Sequence, residues 1–204
     1  MMGLTETPAP EAGSADRLRN ARYVATCYLE HHPGVYHDVF DEMRGLFPKE
    51  ADPGLLAAAA LYTPVVHVRP AEWRIERGFG HDVFRLLMET TYDPALGPQD
   101  RLAAMTERLP MLSDRGLILQ VAALKAYFEQ DVYLHSRVCP DGDLDYCRWL
   151  EGVLTSLSDI CPELAARTGR MLAFYLRRRA DAPFGGERSA GMAGWVRSIF
   201  TPGN

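Results

Sequence analysis

Asp52-Pro53-Gly54-Leu55-Leu56-Ala57-Ala58-Ala59-Ala60-Leu61-Tyr62 is the stretch whose reading decides the fold. Asp52 is an N-cap residue type, because its carboxylate can accept from the orphan amides of a first helical turn, and Pro53 suits the first helical position, where its missing N–H is no loss. Leu55 to Tyr62 then carries an apolar or small residue at nearly every position. That spacing predicts a helix buried on most of its faces, so neighbours must surround it. Helix signals on both sides supply them. Ser14 can cap a helix through Leu18, Ala21, Val24 and Leu29. Pro70-Ala71-Glu72 starts a short helix closed by Gly78, and Gly80 gives way to one whose Val83, Leu86 and Leu87 share a face. Ser113 caps the helix from Leu117 to Tyr133, Asp143 or Asp145 opens another reaching Leu157, and Pro162 begins a last one ending in Arg177-Arg178-Arg179, basic residues suited to the negative end of a helix dipole. Thr63 to Val68 contains valines but is short and bounded by Pro64 and Pro70, so it reads as extended loop. Strand signals are otherwise scarce and no internal repeat is present. The expectation is an all-α fold.

The chain has 204 residues, 47% of them hydrophobic, which suits one domain with a full core. Residues 1–14 are rich in Pro, Ala, Glu and Gly and read as a disordered leader, 15–180 as the helical domain, and 181–204 as a linker with a short amphipathic segment. A formal charge of −5 speaks against nucleic acid as a partner, since tracking a phosphate backbone needs clustered Lys and Arg. No apolar run approaches the roughly 20 residues of a transmembrane segment, and the acidic, proline-containing start lacks a signal-peptide pattern, so a cytoplasmic location is expected. Cys27, Cys139, Cys147 and Cys161 have no Cys-x-x-Cys spacing and read as reduced thiols rather than a disulfide framework.

A series of landmarks runs through the domain: Tyr28, His32-Pro33, the Leu55 to Leu61 helix, Ile75-Glu76-Arg77-Gly78-Phe79-Gly80, the Val83 to Thr91 helix, Leu109-Pro110-Met111-Leu112-Ser113, the Leu117 to Phe128 helix, Tyr146-Cys147-Arg148-Trp149, Val153-Leu154 and Pro162-Glu163-Leu164. In order and spacing this series resembles the hydrolase domain of the RelA/SpoT family and the small single-domain alarmone hydrolases related to it, over roughly residues 18 to 175. The resemblance implies an HD-domain-like helical bundle, with a pocket between the Leu55 to Tyr62 and Leu117 to Tyr133 helices. It also shows what is missing. Tyr62-Thr63 stands where the family has its metal-binding His-Asp pair, Val65-Val66-His67 where it has Val-Glu-Asp, and Val121-Ala122-Ala123 where Leu-Ala-Asp supplies the last metal ligand. The family's His-x-Gln loop, which carries its first metal-binding histidine, has no counterpart between Arg17 and Tyr28.

Such a hydrolase needs a divalent cation that lowers the pKa of a bound water and neutralises the diphosphate. A phenol, a hydroxyl and a methyl group cannot hold it, so no catalytic residue, metal or cofactor is expected. Tyr62, Thr63, His67 and Ala123 remain as candidates lining the vestigial pocket. Tyr62 either fills the space or stacks on a ligand; His67 either packs, faces water or hydrogen-bonds a phosphate or purine. The doublets His37-Asp38, on the helix after His32-Pro33, and His81-Asp82, on a solvated first turn, sit at the wrong places for the family's pair. A metal site from His31, His32, His37 and Asp41 is set against a solvated face. Gly185-Gly186 has no Walker or Rossmann spacing. In Met192 to Phe200, the residues Trp195, Ile199 and Phe200 form an apolar stripe that either docks back on the domain or meets a partner groove or membrane surface. The expected function is that of a pseudo-hydrolase acting by binding, to a protein partner or to a guanine nucleotide. The alternative is an active phosphohydrolase working on such a nucleotide through a non-standard site.

Overall fold

The computed structural model describes residues 14–31, 38–48, 51–68, 70–93, 96–135 and 141–181, with side chains throughout except at 14, 67, 98, 130–135, 141–144 and 178–181. The N-cap expected at Asp52 forms: its side chain accepts from the Leu55 amide at 3.0 Å, with Pro53 in the first turn of a helix, α3, that runs Pro53–His67. The span Thr63 to Val68, expected as loop, is therefore helix up to His67, and the reason is burial. Pro64 removes only its own amide bond and crowds the carbonyl of Ala60. Thr63, Pro64 and Val65 are all buried, and the ladder resumes with the Val68 amide on the Pro64 carbonyl at 2.8 Å. Packing outweighs the local break.

Before α3 come α1 (Ser14–His31) and the short α2 (Phe40–Arg44). Asp38 lies ahead of α2 rather than on a helix, accepting from the Phe40 amide at 3.1 Å and from Arg22 at 2.6 Å. His32, His37 and Cys139 lie outside the described residues. After α3 come α4 (Glu72–Phe79) and α5 (His81–Thr90), separated at Gly80. Gly80 has φ 93° and ψ 161°, a region open essentially to glycine alone, so Gly80 and not Gly78 closes α4. Helix α6 (Pro98–Arg108), which the sequence pattern did not announce, runs into a 3₁₀ turn at Leu109–Met111. Ser113 caps α7 (Asp114–His135), its hydroxyl accepting from the Gly116 amide at 3.1 Å. Helix α8 (Asp141–Ile160) starts ahead of the expected Asp143 or Asp145, and α9 (Pro162–Asp181) follows after Cys161 alone.

Among the described residues the fold is all-α, a single helical domain without strands. Helix α7 is central. It packs on α2, α3, α5, α8 and α9, and every residue from Leu117 to Phe128 is buried. Helix α3 is its counterpart, packed on α1, α2, α5 and α7. Its most extensive contact is with α1, where short side chains let the two helices approach: Ala21, Ala25 and Ala57 to Ala60 are buried. Helices α8 and α9 fold against each other, and α6 rests on α8. Cys147 and Cys161 are buried free thiols and Cys27 is half-buried and free. No helix among the described residues is long and apolar enough to cross a membrane. The expected leader and the C-terminal segment with Trp195, Ile199 and Phe200 lie outside the described residues.

The close contact of α1 with α3 leaves no room at its alanines. Ala58→Leu is expected to destabilise the domain by about 1–3 kcal/mol through overpacking. The same change at the exposed Ala103 of α6 should stay within about 0.5 kcal/mol, read from urea denaturation midpoints of both variants.

Candidate functional site

Tyr62 and Thr63 leave the last turns of α3 towards the protein interior, and Ala123 sits in the middle of α7. They are 4%, 1% and 0% exposed, respectively. Gln120, one turn before Ala123 on α7, hydrogen-bonds the Tyr62 hydroxyl, and Tyr127, one turn after it, faces the Thr63 hydroxyl loosely, since that oxygen has no partner of good geometry. Burial pushes the Tyr62 phenol far above its ordinary value, with Tyr127 and Tyr92 adding to the rise and Gln120 and Arg101 opposing it. Tyr127 is raised for the same reason, burial first. Tyr92, beyond the end of α5, is pushed up to about 12 by burial, against the pull of Arg108, whose guanidinium stacks over its ring at 4.9 Å. Arg101 of α6 is buried nearby in the fold, donating to the Leu96 carbonyl at 2.9 Å.

These are neutral hydroxyls and amides packed in an apolar contact. Tyr62, Thr63, Gln120 and Tyr127 offer no imidazole or carboxylate, and Ala123 offers no donor atom, so these residues by themselves do not fit a divalent cation. Among the described residues no group of three His, Cys, Asp or Glu side chains is placed to hold a metal. His67 ends α3, and its side chain lies outside the described residues. The exposed doublet His81-Asp82 is engaged in surface pairs, His81 with Glu76 at 2.7 Å and Asp82 with Arg17 at 3.1 Å. His31 is exposed and its Nδ1 meets the Cys27 carbonyl at 2.7 Å.

No protein-family model matches the chain, and no curated protein or solved structure does.

A second feature lies on the other side of α7. At about 100° per residue, Gln120, Ala123 and Tyr127 share one face of the helix, and Lys125, Phe128 and Glu129 lie roughly opposite. That opposite face joins α2 and α9 in a groove of about 500 Å³. Its apolar side chains are Leu46, Phe128, Met171, Phe174 and Tyr175; Asp41 and Glu42 stand on the α2 side, Arg167 and Arg170 on the α9 side. Lys125 is 3% exposed and pairs with Glu129 one turn on, while Arg167 holds Glu163 at 3.1 Å and donates to the Gly45 carbonyl. Phe174 is 47% exposed, one of few large apolar side chains so open to solvent. The sequence reading missed this groove. Two local signals pointed to it: a lysine inside the apolar run Leu117 to Phe128, and Arg167, Arg170, Met171 and Phe174 at helical spacing on α9.

Two outcomes follow from these environments. The buried Tyr62 and Tyr127 and the partly buried Tyr92 stay neutral in the fold but ionise in the unfolded chain above about pH 10, so the stability they contribute is complete below that pH and falls as pH rises towards the folded values. Denaturation between about pH 9 and pH 11 should show a slope steepening towards about 1.4 kcal/mol per pH unit for each buried tyrosine, with tyrosinate absorbance from them appearing only on unfolding. At the groove, Glu129→Gln strands the Lys125 ammonium and should cost about 1–3 kcal/mol, whereas Lys125→Met, which leaves a partly exposed glutamate, should be close to neutral in the same denaturation assay.

Proposed function

We propose that this chain is a non-catalytic, HD-domain-like relative of the alarmone hydrolases that acts by binding a protein partner. The observation that supports this most is the state of the positions aligned with the lost metal ligands. Tyr62, Thr63 and Ala123 are packed between α3 and α7, with Tyr62 tied to Gln120 across the contact. Hydrolysis of a diphosphate ester needs a cation, an activated water and an open coordination position. Neutral side chains closed off from solvent supply none of these. The same packing disfavours the guanine-nucleotide branch, because a purine and four or five phosphates would have to part the two most buried helices.

The surface favours a macromolecular partner instead. An apolar floor with charges of both signs along its edges is the anatomy of a protein-binding patch, and Phe174 gives it an aromatic anchor. A helix or short segment presenting apolar side chains on one face matches that shape.

The assay that tests the reading combines turnover and binding. With manganese or magnesium present, phosphate release from guanosine tetraphosphate should not rise above the buffer rate, and calorimetry should give no heat at millimolar nucleotide. Turnover abolished by a chelator would instead establish the active phosphohydrolase. Partner capture from the producing cells should be lost in Phe174→Glu and kept in Tyr62→Phe, which removes only an interior hydroxyl; the reverse pattern would move the function back to the interior.

A further inference from the structure

We propose that the groove between α2, α7 and α9 is the docking site of this chain's own segment Met192 to Phe200. The occupant is argued from pattern, reach and charge. Wound as a helix, Met192, Trp195, Val196 and Ile199 fall at the i, i+3, i+4, i+7 positions of one face, and Phe200 widens the same stripe; Gly194 and Ser198 lie on the back. Five large apolar side chains on nine residues cannot stay in water as a stable helix, because so short a helix is marginal by itself and needs a surface to cover it. The groove offers the complementary shape, an apolar floor of Leu46, Phe128, Met171, Phe174 and Tyr175.

Reach is sufficient. Phe174 stands on α9, about 10 Å of helix from its last residue, Asp181. Residues 182–191, with Pro183 and the Gly185-Gly186 pair, span up to about 35 Å when extended and about 17 Å on average as a flexible chain. The segment can therefore turn back onto the helix from which it departs, at an effective concentration on the order of millimolar. Arg197, the one charged residue in the segment, lies at the edge of the stripe beside Phe200, and the groove edges carry both signs, Asp41 on the α2 side and Arg167 and Arg170 on the α9 side, so docking with Arg197 towards Asp41 is the orientation that avoids like charges. A partner helix of the same pattern would have to displace the tail, a regulatory consequence that rests on the partner-binding reading above; the docking itself does not.

The test uses the whole chain with fluorine-labelled tryptophan. Trp73, Trp149 and Trp195 give three fluorine resonances, and Trp195→Phe assigns the third. Docking predicts a Trp195 resonance displaced from the free-tryptophan position and shielded from a soluble paramagnetic agent, at the same value over a hundredfold dilution. Phe174→Glu, at a side chain exposed enough to leave the helices intact by circular dichroism, should return it to the free position, and Asp41→Arg should weaken the shielding. The proposal is overturned by a free, unshielded Trp195 in the parent chain, or by shielding indifferent to Phe174→Glu. Shielding lost on dilution would assign the stripe to a second copy, and shielding gained only with anionic vesicles would assign it to a lipid surface; either result also overturns the proposal. Nucleotide turnover plays no part in this readout, so failure here is distinct from failure of the functional reading.

Discussion

Everything in this domain is arranged around the burial of α3 and α7 on nearly all their faces. Two helices without a solvated side leave no route by which a charge between them can reach water, and an unpaired charge there would cost several kcal/mol. The polar groups in the interior obey that constraint. Thr63, Thr90, Gln120 and Thr168 are uncharged, and Thr90 returns its hydroxyl to the Leu86 and Leu87 carbonyls of its own helix. The two buried cations are partnered rather than solvated: Arg101 donates to the Leu96 carbonyl and Lys125 pairs with Glu129 at the groove. Tyrosine at position 62 meets the same constraint, since it fills volume, stays neutral and finds a hydrogen bond within the contact.

The starts of the helices are fixed differently, by charge at the surface. Asp52 both caps α3 and accepts from Arg115 of α7 at 2.8 Å, and Arg17 of α1 holds Asp82 of α5 at 3.1 Å. These pairs meet around Gly54: a β-carbon there would lie 2.6 Å from the Arg115 guanidinium and 2.9 Å from the Asp82 carboxylate. Half-exposed pairs of this kind contribute little stability individually. Their value is positional, because they set where α1, α3, α5 and α7 begin relative to one another while the apolar contact supplies the free energy.

Much of the fold was legible because its signals are local. Asp52-Pro53, Ser113 and Pro162 mark helix starts through backbone chemistry that needs no tertiary context, and the apolar runs of α3 and α7 leave no polar face to misread. The end of α3 was not legible, since Pro64 argues locally for a break that burial of Thr63 and Val65 overrides. Helix α6 was missed because one of its most buried residues is Arg101, a charge where a periodic reading expects an apolar side chain. Tyr62, Thr63 and Ala123 were singled out through a resemblance, and their closure in the interior was not legible, because whether Tyr62 lines a cavity or fills one depends on Gln120 and Tyr127 from a helix nearly 60 residues away. The groove was illegible for a similar reason: it is assembled from α2, α7 and α9, and only their convergence gives Lys125 and Phe174 meaning.

The two faces of α7 meet different surroundings. Gln120, Ala123 and Tyr127 look into the contact with α3, whereas Lys125, Phe128 and Glu129 look into the groove, and a rigid helix separates them. Substitutions at Tyr62, Thr63 or Ala123 act first on packing within the α3–α7 contact. The α2, α7 and α9 side has ties of its own, with Phe40, Met43, Leu172 and Tyr175 buried in the core and Arg167 donating to the Gly45 carbonyl. Tyr62, Thr63 and Ala123 thus close the interior contact, while Lys125, Phe128 and Glu129 remain on the open side of the same helix.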